Sequence, residues 1–153
     1  MFKKILLILF FSSLINACGY SPILLNNNSL NINIISIKYE GNREINNHIK
    51  NNLNQYYQTS SNNKFQIENK NLLSKKTISK NKKGDVSTYE IEVISTFNVK
   101  NQKESKIISL SKKLRINKND DTFENRNYEK QIIKNLSKSI SDDFIIKLKL
   151  FSL

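Results

Sequence analysis

The chain has 153 residues, of which 25 are lysine or arginine and 13 are aspartate or glutamate, giving a formal net charge of +12. Apolar residues make up 38% of the chain and are spread along it, and a chain of this length is enough for one packed core and too short for two. One cysteine and one histidine exclude an internal disulfide and leave little basis for a metal site, and three glycines leave little room for a glycine-rich phosphate loop.

The amino terminus has the pattern of a bacterial lipoprotein signal peptide. Two lysines precede an apolar run (ILLILFFSSLI) that is too short to span a bilayer, which needs about 20 apolar residues. The run leads into LINAC, which resembles a lipobox and ends at Cys18. We therefore expect residues 1–17 to be removed and Cys18 to carry an N-acyl chain and an S-diacylglycerol. The alternative is an ordinary secretory signal with an incidental thiol.

The expected lipid places the protein at a membrane. One acyl chain binds a bilayer weakly, whereas several chains anchor firmly. Gly19 follows the cysteine in place of the aspartate that typically retains lipoproteins in the inner membrane, which favours the periplasmic face of the outer membrane. Loss of two signal-peptide lysines leaves 23 basic and 13 acidic residues. Because an exported protein does not meet nucleic acid, the positive charge is better suited to an anionic lipid partner.

Residues 18–31 are expected to form a lipidated tether, and residues 32–153 a single α+β domain. Residues 33–39 are rich in β-branched side chains and predict a strand that turns Ile35, Ile37 and Tyr39 toward the core. Residues 42–57 predict a helix, because their apolar side chains recur every three or four positions: Ile45, Ile49, Leu53 and Tyr56.

Three more strands are expected. Residues 65–78 predict a strand with a polar middle in which a bulge would fit, and residues 80–85 a turn. Residues 89–99 alternate most regularly, and residues 108–116 alternate again. A tight turn between these last two strands would set Glu90 opposite Lys113 and Thr88 opposite Arg115.

The end of the chain predicts a long helix, with an apolar stripe spaced by fours and acidic residues at its start. The stripe is Tyr128, Ile132, Leu136, Ile140, Phe144 and Leu148. The predicted fold is therefore α+β, with two helices packed on one face of a four-stranded, mostly antiparallel sheet in the order β-α-β-β-β-α.

No catalytic motif is present, so we expect a binding protein and not an enzyme, with no catalytic residue, no metal and no cofactor besides the lipid on Cys18. His48 is assigned a structural role, because it has no second histidine or cysteine with which to share a metal. The pairs Asp120-Asp121 and Asp142-Asp143 are assigned to capping and solvation.

Three basic residues of the fourth predicted strand are candidates for contact with an anionic glycolipid. Lys113 and Arg115 share the outward face, where they suit phosphate groups. The alternative for Lys113 is an ion pair with Glu90 across the hairpin. Lys112 lies on the apolar side and would extend past the end of a helix. The lysine-rich turn at 80–83 is assigned to a solvated loop.

The start of the mature chain, Cys18-Gly19-Tyr20-Ser21-Pro22-Ile23-Leu24, resembles the C-G-F/Y-x-P-L-Y start of lipopolysaccharide-assembly lipoproteins of the LptE family. The order of elements and the closing helix from Tyr128 to Leu148 are also similar to that family. Leu24 departs from the pattern, because it stands in place of an aromatic residue.

The resemblance implies a lipoprotein that plugs the outer-membrane β-barrel LptD, assists its assembly and helps to deliver lipopolysaccharide to the outer leaflet. LptD and lipopolysaccharide would then be its partners. Two alternatives stay open. One is a generic outer-membrane lipoprotein adaptor in envelope or barrel assembly. The other is a carrier for an apolar ligand, which would need a cavity that the dense isoleucine and leucine stripes argue against.

Overall fold

The structure is a computed structural model that describes residues 32–57, 59–118 and 121–151. The predictions for residues 1–31, including the signal peptide, the tether and Cys18, and the prediction for Asp120 concern residues outside this range. The described chain forms β1 (Asn33–Gly41), α1 (Arg43–Leu53), a short 3-10 helix (Asn54–Tyr56), β2 (Lys64–Lys80), β3 (Val86–Lys100), β4 (Ser105–Asn117) and α2 (Thr122–Phe151).

The four strands form one sheet in sequence order, β1-β2-β3-β4. β1 is parallel to β2, whereas β2–β3 and β3–β4 are antiparallel hairpins. A parallel pair needs a crossover connection, and α1 supplies it. The predicted α+β fold and its element order are confirmed.

The turn between β1 and α1 explains where the helix begins. Gly41 has a φ of +89°, a backbone conformation that residues with a Cβ rarely adopt. The Asn42 side chain then accepts hydrogen bonds from the backbone N–H groups of Glu44 and Ile45, at 3.0 and 3.1 Å. Such a cap satisfies donors that have no partner within the helix. The predicted start of the first helix is thus confirmed, and its last predicted turn is the 3-10 helix.

Both helices bury their apolar stripes against the same face of the sheet. Along β3, alternate residues from Tyr89 to Val99 are buried, and the residues between them are not. Phe97 at the centre of this face stacks on Phe144 of α2, with 3.9 Å between ring centroids. The opposite face of the sheet, called here the outer face, carries mainly polar side chains and has no helix against it among the described elements.

The predicted inward face of β1 was wrong at its start. Ile34 is fully buried, whereas Ile35 is 44% exposed. A register shift between Ile34 and Ser36 places one extra residue in β1, and an inserted residue reverses the alternation of side chains. Beyond the bulge, Ile37 faces Ile67 as the predicted pattern requires.

β2 runs without interruption through the polar middle where a bulge was expected. Asn69 and Asn71 are buried there, and the Asn71 side-chain amide donates to Asn46 of α1 at 2.7 Å. The register shifts of β2 against β3 occur near its end, around Ser79.

α2 begins at Thr122, and the Asp121 carboxylate accepts from the N–H groups of Phe123 and Glu124 at 2.7 and 3.0 Å. This confirms a capping role for Asp121. Tyr128 was wrongly placed in the buried stripe, since it is 55% exposed and Asn125 takes the inward position one turn earlier.

Candidate functional site: the basic end of the sheet

One end of the sheet gathers lysines and an arginine that are far apart in sequence. The β2–β3 turn and the last residues of β4 share this end, because β3 is antiparallel to both of its neighbours. Lys118, just beyond β4, donates its backbone N–H to the carbonyl of Ser87 at the start of β3, at 2.8 Å. The basic end consists of Lys76, Lys80, Lys82, Lys83, Lys113, Arg115 and Lys118.

The turn that carries two of these lysines is held in a fixed shape. The Asn81 side-chain oxygen accepts from the backbone N–H groups of Lys83 and Asp85, both at 2.9 Å. The Asn81 N–H donates to the Asp85 carbonyl at 2.8 Å, and Gly84 has a φ of +88°. Because the backbone of the turn is closed on itself, the side chains of Lys82 and Lys83 project from a defined support into solvent.

Positive charge is in excess at this end. Within residues 32–57, 59–118 and 121–151, no ion pair is formed by Lys76, Lys80, Lys82, Lys83 or Lys118. The acidic residues of the turn and of the adjoining half of the outer face are Asp85, Glu90 and Glu92. Seven basic side chains and three carboxylates leave a local excess of four positive charges, which would attract an anion.

The sequence-predicted pair Lys113 and Arg115 lies on the outer face, as expected, but in a different register. Glu90 faces Arg115, and Lys113 faces Glu92, because the β3–β4 turn has four residues, Asn101–Glu104, and not two. The predicted partner of each β3 residue was therefore wrong by two positions along β4.

A single carboxylate nevertheless serves both cations. The Arg115 Nε lies 3.2 Å from Glu90 Oε2, and the Lys113 Nζ lies 3.6 Å from Glu90 Oε1. The Glu90 side chain is 13% exposed, whereas those of Lys113 and Arg115 are 60% and 69% exposed. The predicted Lys113–Glu90 ion pair is thus present as a diagonal contact. Two cations that share one carboxylate retain one uncompensated charge, so the pairing and ligand roles are compatible.

Lys112 is not part of the basic end. It points to the helix side of the sheet, as its position predicts, but it does not extend past the end of a helix. Its Nζ lies 2.7 Å from Asp143 Oδ2 in the C-terminal half of α2. Asp142, the neighbouring acid, pairs with Lys138 at 2.9 Å instead. Lys112 therefore joins β4 to α2 and is removed from the set of candidate ligand contacts.

A cluster on the helix side fixes the β2–β3 hairpin to α2. The Glu129 carboxylate accepts from the Lys75 Nζ at 2.6 Å and from the Tyr89 hydroxyl at 2.7 Å. Burial alone would raise the pKa of Glu129, but the hydrogen bonds from Lys75 and Tyr89 outweigh it and hold that pKa below its usual value. Burial, and then the bond to Glu129, raises the pKa of Tyr89. Glu129 thus holds the turn half of the hairpin against α2 and does more than complement the helix dipole.

An open cleft of about 370 Å³ adjoins this cluster. Lys118 lines it together with Lys75, Glu129 and Asn125. Lys118 therefore lies between the cleft on the helix side and the lysine-bearing turn at the end of the sheet. A large anion at the basic end could contact it from either side.

The described residues contain no candidate metal site. No group of three histidine, cysteine or acidic side chains is arranged to hold a metal ion among them. The His48 Nε2 is 4.0 Å from Glu44 Oε1 on the same face of α1, consistent with the structural role assigned to it. No described helix is long and apolar enough to cross a membrane.

Sequence reasoning missed Lys76, Lys80, Lys82, Lys83 and Lys118 as members of one site. The signal was present, since one lysine run occupies a hairpin turn and another lysine directly follows the last strand. Joining them requires the strand order, which places both segments at the same end of the sheet.

The fold occurs in solved structures of bacterial lipoproteins. No protein-family model and no curated protein sequence matches the chain. Rare lipoprotein B from Shewanella oneidensis aligns with a TM-score of 0.58 at 14% identity, covering 76% of this chain and 95% of that one. An uncharacterised lipoprotein B from Nitrosomonas europaea aligns with a TM-score of 0.54 at 13% identity, covering 79% and 84%. A minor lipoprotein from Acinetobacter baumannii aligns with a TM-score of 0.51 at 11% identity, covering 74% and 93%. The chain therefore shares the fold of these lipoproteins.

Proposed function

We propose that the chain is an outer-membrane lipoprotein of the LptE type, anchored through Cys18 on the periplasmic face, which acts with the β-barrel LptD in delivery of lipopolysaccharide. Two independent features support this proposal. The sequence around Cys18 resembles a lipobox and the C-G-Y-x-P start of the LptE family, and the domain shares its fold with bacterial lipoproteins from several organisms. Its role is to bind and not to make or break bonds, in keeping with the lack of a catalytic motif in the sequence.

The choice of lipopolysaccharide as the ligand rests on the basic end of the sheet. Lys82 and Lys83 stand on a closed turn, and no described acidic group pairs with them or with Lys118. Ammonium and guanidinium groups bind phosphate by charge-assisted hydrogen bonds. The phosphates of lipopolysaccharide have the matching charge, and they would bind here without displacing an existing ion pair of Lys82, Lys83 or Lys118.

The test is a charge reversal at the site with a matched control elsewhere. Lys82→Glu combined with Lys118→Glu should weaken binding of lipopolysaccharide by at least about tenfold, since each lost charged hydrogen bond costs about 1.5–3 kcal/mol. Lys50→Glu combined with Lys147→Glu changes the net charge equally at exposed positions on the two helices and should bind as the wild type. Lipopolysaccharide stripped of its phosphates should bind neither of the two double variants. Equal loss in the two double variants would refute the site.

The barrel partner is tested separately. Purification of the tagged protein in gentle detergent should recover LptD in a roughly equal molar amount if the chain acts as its plug. The outer face of the sheet suits such a position, because its serine, threonine, lysine and glutamate side chains would lie well against a hydrated lumen. Recovery of the protein alone, or with barrel-assembly factors only, would support the adaptor function instead.

A further inference from the structure

β4 forms an edge of the sheet that the described chain leaves open. β1, at the other edge, is guarded by its bulge, by a bridge from Ile34 to Tyr57 and by the Lys38–Glu40 ion pair. The β3–β4 ladder has no register shift over its whole length. Among the described residues, no backbone group bonds to the free side of β4. An open strand edge is a template for the pairing of another strand.

Hydrogen bonds at both ends of the ladder show which residues of β4 face outward. The Asn101 N–H donates to the Glu104 carbonyl at 3.0 Å, and the Lys118 N–H donates to the Ser87 carbonyl at 2.8 Å. Facing residues in an antiparallel pair alternate between bonded and non-bonded positions. Even-numbered residues from Glu104 to Lys118 therefore bond to β3. Odd-numbered residues direct their N–H and C=O groups to the free edge.

The side chains of β4 define the strand that would fit. From Ser105 to Lys118 the chain has five basic residues and no acidic one. On the outer face, Lys113 and Arg115 share a single carboxylate. On the helix side, Leu114 is 44% exposed although it belongs to the apolar row of β4. A matching strand would carry acidic residues on the outer face and apolar residues on the helix side, in alternation.

A second copy of this chain does not meet that requirement. Antiparallel pairing of β4 with itself that matches its apolar residues, Ile108 against Leu110, sets Lys106 opposite Lys112 at both ends. Facing like charges destabilise a strand pair. Lys106 and Lys112 therefore oppose self-pairing on the helix side, whereas Lys113 and Arg115 on the outer face would attract the acidic residues of a different strand.

We propose that the free edge of β4, from Ile107 to Arg115, binds an extended strand of another protein in which acidic and apolar residues alternate. The added strand bonds to the backbone of Ile107, Ser109, Ser111 and Lys113. Its acidic residues lie beside Lys113 and Arg115, and its apolar residues lie beside Leu114. This interaction shares Lys113 and Arg115 with the basic end but does not involve the lysine-bearing turn, and it does not depend on the function proposed above.

The probe is a blocked peptide of alternating glutamate and valine, added to the full-length protein in detergent. Amide hydrogen exchange at Ile107, Ser109, Ser111 and Lys113 should slow when the peptide is added. Exchange at Ile108 and Leu110 should change little, because β3 already bonds their amides. A peptide of alternating lysine and valine should give no protection at any of these positions.

Ser109→Pro separates strand addition from general charge attraction. Proline there removes a donor on the free edge and none that bonds to β3, a position that edge strands tolerate. We expect it to weaken binding of the glutamate peptide by about tenfold or more, while Ser109→Thr binds as the wild type. Both variants should bind lipopolysaccharide unchanged, so failure here and failure of the lipopolysaccharide site are distinguishable.

If Ser109→Pro disturbs folding, reversal of charge gives a second test. Lys113→Glu combined with Arg115→Glu should shift the preference of β4 from the glutamate peptide to the lysine peptide. The proposal is overturned if the odd-numbered amides stay unprotected, if both peptides bind the wild type equally, or if well-folded Ser109→Pro binds like Ser109→Thr. It is also overturned if the same amides become protected by raising the protein concentration alone, which would identify a second copy as the occupant.

Discussion

The close approach of β1 to β2 can be tested by adding one methyl group. Gly41 has a φ of +89°, and a Cβ at this position would lie 2.0 Å from the backbone oxygen of Asn71. That oxygen also accepts the N–H of Asn42 at 3.0 Å, the bond that holds the start of α1 against the sheet. Gly41→Ala therefore forces two backbone segments apart. Gly84 is a matched control, because its φ is +88° and nothing lies within 4 Å of its Cβ position.

The two variants share the backbone strain and differ in the clash. A side chain in the left-handed region costs about 1–2 kcal/mol, which is the whole expected loss for Gly84→Ala. Gly41→Ala adds the loss of a buried hydrogen bond, about 0.5–1.5 kcal/mol, and the displacement of β2. We expect it to lower the free energy of unfolding by about 2–4 kcal/mol, a large part of the 5–15 kcal/mol typical of a domain.

Equilibrium unfolding in urea, followed by circular dichroism, measures both losses. The difference between the two variants isolates the contact with Asn71, because strain common to both cancels. Losses that agree within about 0.5 kcal/mol, the usual uncertainty for such comparisons, would refute the close approach of Gly41 to β2.

Three further predictions concern the core, the hairpin support and the anchor. Phe144→Ala should lower the free energy of unfolding by about 3–5 kcal/mol in a urea titration, because it leaves a cavity beneath Phe97; a loss below about 1 kcal/mol would contradict the stacked core. Glu129→Gln should destabilise the protein by about 1–3 kcal/mol at neutral pH. Since the folded pKa of Glu129 lies below its ordinary 4.5, the stability it adds is present above that pH and disappears as the pH falls through the lowered value, so a deficit that persists unchanged in acid would exclude its charge as the cause. Cys18→Ala should yield an unprocessed or unanchored protein in membrane fractionation, whereas firm membrane binding at the native size would contradict lipidation.

Local patterns in the sequence predicted the elements correctly. The alternation of residues 89–99 and the spacing of Ile45, Ile49 and Leu53 reflect the geometry of an isolated strand and helix, so they need no knowledge of the neighbours. Asn42 could be placed near the start of a helix for the same reason. The order of these elements then allowed few ways to bury every apolar stripe, and the α+β fold with both helices on one face followed.

Errors arose where two segments had to be placed relative to each other. The length of the β3–β4 turn set the facing pairs, and a turn of four residues in place of two moved Arg115, not Lys113, opposite Glu90. The bulge at Ile35 depends on how β1 pairs with β2 and has no mark in the sequence of β1 alone. Register is a property of a pair of strands, and one inserted residue changes which face a side chain takes.

The sequence by itself determined the elements, their order and the expected lipid anchor, because each depends on side chains within a few residues of one another. The tertiary structure decided which basic side chains form ion pairs and which do not. Lys112 is held by Asp143 across the helix and sheet layers, whereas Lys82 and Lys118 lie at the same end of the sheet without a described ion pair. Charge pairing acts over distances in space and not along the chain, so the composition gave the excess of positive charge and only the fold located it.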